Sequence, residues 1–321
     1  MPETRVGISG WRYTPWRGVF YPPNLPQKYE LEFASQCMNS LEINGSFYSL
    51  QRPSAYQQWY DATPADFIFS VKGSRFITHM KRLQNLLEAQ ANFWASGVLR
   101  LEEKLGPILW QLPPNFQYDK AVLHTFFTQL PQSTWDAAKM ALRHSPFLKG
   151  RVWCKSREDR RIRHAMEIRN VSFLTEEFVM LLRAHGIALV ISDAAKKWPV
   201  MEDMTADFVY ARLHGENELY SSRYDDVSLD RWARRFRSWR KGTEPREAQL
   251  HAPKADRQGG RDIFVYFDND VKVDAPFDAM SLAGRLGIER DYERIRSAAL
   301  QTGKPKSRLE RRKFPWPRKA V

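Results

Sequence analysis

Cysteine and histidine are scarce in this chain, with two Cys and seven His in 321 residues. Cys37 and Cys154 show no C-x-x-C spacing, so neither a disulfide framework nor a thiolate zinc site is suggested. Seven histidines are also too few for a multi-zinc centre of the kind some barrels carry. No apolar run reaches the roughly 18 residues that a membrane-spanning helix needs. The opening residues, MPETRVGISGW, hold no apolar signal core, so the expected location is the cytoplasm. A phosphate-binding glycine loop, a P-loop and a dinucleotide fingerprint are missing as well, which leaves the common nucleotide-cofactor chemistries without a motif. No internal repeat, low-complexity tract or domain linker breaks the chain.

What the sequence does have is a globular composition, 43% hydrophobic with 11 Trp and 19 Phe. It also has a regular series of short apolar runs whose inner or last positions turn polar. They fall at 5–9 (RVGIS), 41–44 (LEIN), 67–72 (FIFSVK), 107–112 (PILWQL), 165–170 (AMEIRN), 188–193 (ALVISD), 208–215 (FVYARLHG) and 262–269 (DIFVYFDN). Most of the gaps can hold a helix, and eight strands alternating with helices predict an α/β fold, a TIM-like (β/α)8 barrel. Helices are expected over 29–38, 53–61, 83–94, 120–130, 133–142 and 176–185, the last stopping at Gly186. Leu229, Trp232, Phe236 and Trp239 recur at helical spacing, so that stretch should dock its aromatic face and expose its arginines. Residues 241–261, with three Gly and two Pro, read as a long loop and a candidate for mobility. The barrel is expected to occupy residues 1–302, followed by a flexible basic tail.

Charge is uneven. The formal net charge is +13, and the tail at 303–321, with eight basic residues and one acid, supplies +7 of it. Residues 231–241 add six basic residues and no acid. Such stretches serve either as phosphate-binding arms for nucleic acid or as solvated surface.

In a (β/α)8 barrel the carboxyl ends of the strands build the site. Alternation puts Glu167 and Arg169 on one face of the fifth strand, Tyr210, Arg212 and His214 on one face of the seventh, and Glu42 and Asn44 on one face of the second. A charge inside a barrel is tolerated only when paired or used, so these residues are either a catalytic set or a structural ion-pair plug. Lys72, Arg75 and His79 (72–79, KGSRFITH) follow the third strand; the two cations suit phosphate or carboxylate, and His79 suits acid–base work. Gln111 ends the fourth strand and Asn269 the eighth. The aromatic loop after the first strand offers Trp11 for stacking, with Tyr48 beside it in the reading. No metal is assigned, although a single Mg or Mn on Glu42, Glu167 or Asp193 stays open.

The segments GISGWRYTPWRGVFYPPNL, SLEINGSFYSL, FIFSVKGSRFITH, LGPILWQLPPNF, RLHG with Tyr220 and Tyr224 after it, and VYFDND together resemble the domain of unknown function 72 (YecE-like) family over about 7–286. The resemblance implies a TIM-barrel-like fold and no established activity. It points to Glu42, Asn44, Tyr48, Lys72, Arg75, His79, Gln111, Pro113, Glu167, Arg169, Arg212, His214, Gly215, Tyr220, Tyr224 and Asn269 as the recurring polar positions. Two motifs depart from it. Asn170, Val171, Ser172 and Phe173 stand where the family has His, Pro, Ser and Trp, and Asp268, Asn269 and Asp270 stand where it has Asn, Asn and His.

The leading functional expectation is an enzyme acting on a phosphorylated or other anionic substrate by acid–base or hydrolytic chemistry. Lys72, Arg75, Arg169 and Arg212 would hold the anion, Glu167 and His214 would exchange protons, and Glu42 would position one of them. The alternatives are a non-catalytic nucleic-acid binder using the basic helix and tail, and a sugar-binding or sugar-processing barrel.

Overall fold

A computed structural model describes residues 2–215, 218–220, 222–255, 259–269 and 273–305. Eight parallel strands close into a barrel in chain order: β1 Thr4–Ser9, β2 Ser40–Ile43, β3 Ile68–Lys72, β4 Leu105–Gln111, β5 His164–Glu167, β6 Ala188–Asp193, β7 Phe208–Leu213 and β8 Asp262–Phe267. β8 pairs back onto β1, with Gly7 opposite Tyr266, so no strand edge is left open. The ladder slips by one residue between β3 and β4, where Gly106 and Pro107 lie; Pro107 has no N–H to give, and its carbonyl instead accepts from Ser70 Oγ at 2.8 Å.

Ten helices flank the strands among the described residues: α1 Glu30–Cys37, α2 Gly45–Tyr48, α3 Pro53–Asp61, α4 Leu87–Ala95, α5 Lys120–Gln129, α6 Thr134–Ala141, α7 Glu176–His185, α8 Asp226–Arg240, α9 Asp274–Arg285 and α10 Tyr292–Thr302. The alternation of the strands sorts the core in two. Outward residues such as Val6, Ile8, Phe69, Trp110, Met166, Val209 and Val265 are buried under the helices. Inward residues Leu109, Ala165, Val190, Phe208, Tyr210, Phe264 and Tyr266 form a second cluster inside the barrel.

Several sequence expectations are corrected here. The fourth helix begins at Leu87, because Leu83 and Asn85 adopt positive φ and break the turn the apolar spacing suggested. The strand after 164 ends at Glu167 and β7 at Leu213, so Arg169 and His214 sit just beyond their strands. Helices α9 and α10 close the barrel after β8; Tyr292 stacks on Phe20 at 5.8 Å. No helix lies between β6 and β7. Residues 194–207 form a strap instead, and its buried acids tie down the long loop after α8. Gln249 N–H donates to Glu202 Oε2 at 2.9 Å, and the N–H groups of His251 and Ala252 donate to Asp203 Oδ1 at 3.0 Å each. The described part of that loop is therefore anchored, and its residues 256–258 lie outside the described residues.

On α8 the aromatic face is docked as the spacing required, with Leu229, Trp232, Phe236 and Trp239 all buried. Its arginines are less free than the charge run suggests. Arg235 pairs with Glu202, Arg237 donates to the Arg285 carbonyl, and Arg240 Nε donates to the Pro2 carbonyl at 3.1 Å. The basic tail expected at 303–321 falls outside the described residues from position 306 onward. Among the described residues no helix is long and apolar enough to cross a membrane.

Candidate functional site

The period of two that makes β7 a strand also sends Tyr210 and Arg212 up the barrel axis. Arg212 is fully buried and holds three carboxylates at once. Its NH1 lies 2.8 Å from Glu167 Oε2, and its NH2 lies 3.0 Å from Glu42 Oε1 and 2.9 Å from Asp268 Oδ2. Tyr210 OH donates to Glu42 Oε2 at 2.6 Å and lies 2.7 Å from Ser70 Oγ. Ser9 Oγ donates to Glu42 and accepts from Asn44 Nδ2 at 2.8 Å. Arg169 caps the network: its Nε donates to Glu167 Oε1 at 2.8 Å, its NH2 to Gln111 Oε1 at 3.0 Å, and its guanidinium lies 4.5 Å from the Trp198 ring centroid.

Electrostatics follow from this packing. Burial alone would raise the Glu167 carboxyl, but Arg169 and Arg212 hold it well below the usual carboxylate range. Asp268 is likewise buried and likewise held low, by Arg212 and by His214. Burial would disfavour charge on Arg212, and the three carboxylates more than offset it, so its guanidinium stays charged. His214 is pushed down by burial and by Arg212, although its Nδ1 lies 3.0 Å from Asp268 Oδ2. It is therefore neutral near pH 7.

Above this layer a cavity of about 530 Å³ opens at the carboxyl end of the barrel, lined by Tyr13, Asn44, Phe47, Tyr48, Lys72, Arg75, His79, Gln111, Arg169, Tyr220 and Asp268. Lys72 ends β3 and rises into it. The Lys72 ammonium stands 4.3 Å over the Phe47 ring. It has no hydrogen-bond or carboxylate partner among the described residues. Burial and the Arg212 charge lower it to about 8. His79 sits on a one-turn π-helix, Phe76–Met80, with Nδ1 2.9 Å from Thr78 Oγ1. Burial, Lys72 and Arg169 push it down to about 4, so at pH 7 it is a neutral imidazole in a cationic pocket. Tyr220 is raised, chiefly by burial.

The structure brings Lys72, Arg75, His79, Arg169, Gln111, Asn44, Tyr48 and Tyr220 to one cavity. Glu42, Glu167, Arg212 and His214 gather immediately beneath it, fully buried and outside the lining. Direct anion contact by Arg212, expected from the sequence, is corrected on that ground, since its guanidinium faces three carboxylates of its own chain. Trp11 is buried edge-on against Trp59, at 5.4 Å between centroids, and does not line the cavity. Tyr224 and Asn269 are spent on support: Tyr224 OH donates to Asp193 Oδ2 at 3.1 Å, and Asn269 Nδ2 to Asp278 Oδ2 at 2.9 Å. Of the carboxylates offered for a divalent ion, Glu42 and Glu167 face Arg212, and Asp193 takes the tyrosine. Among the described residues no group of three or more His, Cys, Asp or Glu gathers as a metal set.

Sequence reasoning missed Asp268, Tyr13 and Phe47. Asp268 was within reach, because Phe264, Tyr266 and Asp268 alternate inward along β8 as Tyr210 and Arg212 do along β7. Asp270 lies outside the described residues.

A closed eight-stranded parallel barrel defines the class, a TIM-like barrel, here with a polar, cation-lined cavity over a buried ion network as its candidate site. The chain belongs to the family described as protein of unknown function DUF72, whose family model matches residues 5–303. It is similar to the UPF0759 protein YunF of Bacillus subtilis (strain 168), 22% identical over 88% of this chain and 95% of that protein. The UPF0759 protein YecE of Escherichia coli (strain K12) is 23% identical over 77% of this chain and 86% of its own. A crystal structure of a DUF72 family protein from Thermotoga maritima MSB8 superimposes with a TM-score of 0.63 at 22% identity, covering 89% of this chain and 99% of that one. At such identity the likeness is one of fold.

Proposed function

We propose that the barrel mouth binds an anionic small molecule, phosphorylated or carboxylated, and that the chain is an enzyme acting on it by acid–base chemistry. The observation that carries this reading is the convergence of Lys72, Arg75, His79 and Arg169 on one cavity of about 530 Å³ whose lining carboxylate, Asp268, is already paired with Arg212 from below. Arg75 is exposed and has no ion-pair partner among the described residues, so its guanidinium is available to a ligand. Arg169 is pre-oriented by Glu167, Gln111 and Trp198, which lowers the ordering cost of using it. The proton carriers that reach the cavity are His79 and Tyr220; Asp268 also lines it but is held ionised by Arg212 and His214. Glu167 is held too strongly ionised to give a proton near neutral pH, and its place is to fix Arg169 and Arg212.

The polyanion alternative has less beneath it, because three arginines of α8 are already bound to the chain's own groups. The sugar alternative loses Trp11 to the core and keeps Tyr48, 69% exposed, at the rim.

Isothermal titration with phosphate and with sugar phosphates tests the proposal. Saturable binding is expected, and Arg75→Ala should weaken it about tenfold or more, as loss of a charge-assisted hydrogen bond does. No binding of any anion, or equal affinity in the variant, would overturn it. Affinity should also depend on pH. The groups around Lys72 are Arg212, Glu42, Glu167 and Asp268 below it and Arg75, His79 and Arg169 beside it; Lys72 is lowered to about 8 and His79 to about 4. For an anion whose own charge does not change over this range, such as sulfate, affinity should be flat from about pH 5 to 7 and fall as Lys72 loses its proton through about 8.

A further inference from the structure

We infer that Lys72 is a nucleophile, and that the ligand of this mouth is an anion that also carries an aldehyde or ketone, captured as an imine on the Lys72 nitrogen. The inference rests on the anion-site reading above and names its substrate class.

Three features of place carry it. Lys72 is 7% exposed, and what exposure it has is at the cavity. An ammonium meant only to neutralise charge inside this barrel would be expected to join the carboxylates. Yet Glu42, Glu167 and Asp268 are all taken by Arg212, and Lys72 is left over the face of Phe47 with no acceptor among the described residues. A permanently charged pair, Arg75 and Arg169, lines the same cavity and can anchor the anionic end of a ligand without Lys72. A buried amine beside other cations also gives up its proton readily. Its value of about 8 leaves roughly a hundredfold more free amine near pH 8 than an ordinary lysine has.

The step balances without an added reagent. The free amine of Lys72 attacks the carbonyl carbon and the C=O π pair moves to oxygen, giving a carbinolamine once a proton passes from nitrogen to oxygen. Loss of water then forms the C=N bond. Neutral His79, in the same cavity, is suited to take the proton from nitrogen and return it to the departing oxygen. The resulting iminium would draw electrons from the adjacent carbon, which is the use such lysines have in carbon–carbon and carbon–hydrogen bond chemistry.

The test pairs two phosphates of one skeleton, dihydroxyacetone phosphate with its ketone and glycerol 3-phosphate without it. The full chain is incubated with the ketone and sodium cyanoborohydride near pH 8, digested, and mapped by mass spectrometry. One reduced adduct on Lys72 is expected, formed at least about tenfold faster than on any other lysine, given the larger free-amine fraction. Glycerol 3-phosphate should slow it competitively and form no adduct. Dihydroxyacetone, which lacks the phosphate, should react far more slowly. Lys72→Arg, which keeps the charge, should lose the adduct; Lys72→Met should lose it too and, without the charge, should bind glycerol 3-phosphate more weakly near pH 7. Binding of glycerol 3-phosphate without a Lys72 adduct from the ketone would overturn the imine and leave the anion site standing. Failure of both phosphates to bind would overturn the anion site and the imine with it. Adducts spread over surface lysines at equal rates would also overturn the imine.

Discussion

Arg212→Met should cost about 3–5 kcal/mol of stability at pH 7, the range for breaking a buried ion pair from one side. At roughly 2–4 °C per kcal/mol for a domain of this size or somewhat smaller, the melting temperature should fall by roughly 10 °C. The cost comes from what remains rather than from what is removed. Glu42, Glu167 and Asp268 would be left inside the barrel with only Arg169 and Lys72 near them, and a buried carboxylate without a cation is driven to take up a proton. That gives the experiment its sign. In the native chain Glu167 and Asp268 are held below their unfolded values, so they stabilise the fold fully above about pH 4.5, and that stabilisation is lost only as pH falls further. In the variant the same carboxyls move up instead, and stability should rise as pH falls from 7 toward 5. The gap between variant and native melting temperatures should therefore narrow over that interval. A gap independent of pH would mean that Arg212 matters by packing alone.

How far the sequence could be read is itself a matter of alternation and depth. Strand positions were legible because each run turns polar at an inner or last position, and the period of two separated Glu42, Glu167 and Arg212 from Leu41, Met166 and Ala211. Depth was not legible. Arg75 and Arg212 both read as cations at strand ends, yet one is exposed at the cavity rim and the other is fully buried. What separates them is the register of β7 against β6 and β8, which sets Arg212 opposite Ser192 and Tyr266, and register is a property of the closed barrel rather than of any one strand. Trp11 was misplaced for a related reason: a tryptophan in a loop after a strand looks the same whether it meets a ligand or Trp59. The strap at 194–207 left no periodic trace at all, because it is held by Glu202 and Asp203 accepting backbone N–H groups from a distant loop, and such contacts have no local pattern.

Gly7→Ala should be among the most damaging single-methyl changes available to this chain, and Gly284→Ala should be stabilising, so that one substitution read at two sites changes sign. Gly7 lies opposite Ser40 in the β1–β2 ladder, and an added Cβ would overlap the Ser40 carbonyl oxygen, a backbone atom with nowhere to turn. The backbone angle at Gly7 is one any residue adopts, so the whole penalty is one of space. Relief requires β1 and β2 to part, and two residues further on the same ladder aligns Ser9 with Glu42, where Ser9 Oγ also accepts from Arg212 NH2 at 3.0 Å. A loss near the top of the overpacking range, about 3 kcal/mol, is expected. Phosphate binding should weaken with it, because the layer beneath Lys72 and Arg169 shifts. Gly284 lies in α9 with ordinary helical φ and nothing within 4 Å of an added Cβ. There alanine removes only the conformational freedom of the unfolded chain and should add about 0.5–1 kcal/mol. Chemical denaturation of both variants, at unchanged m-value, would measure the two effects together. A Gly7→Ala protein as stable as the native chain would show that β1 and β2 can separate without cost, and with it the claim that the closed ladder sets the geometry of the mouth would fall.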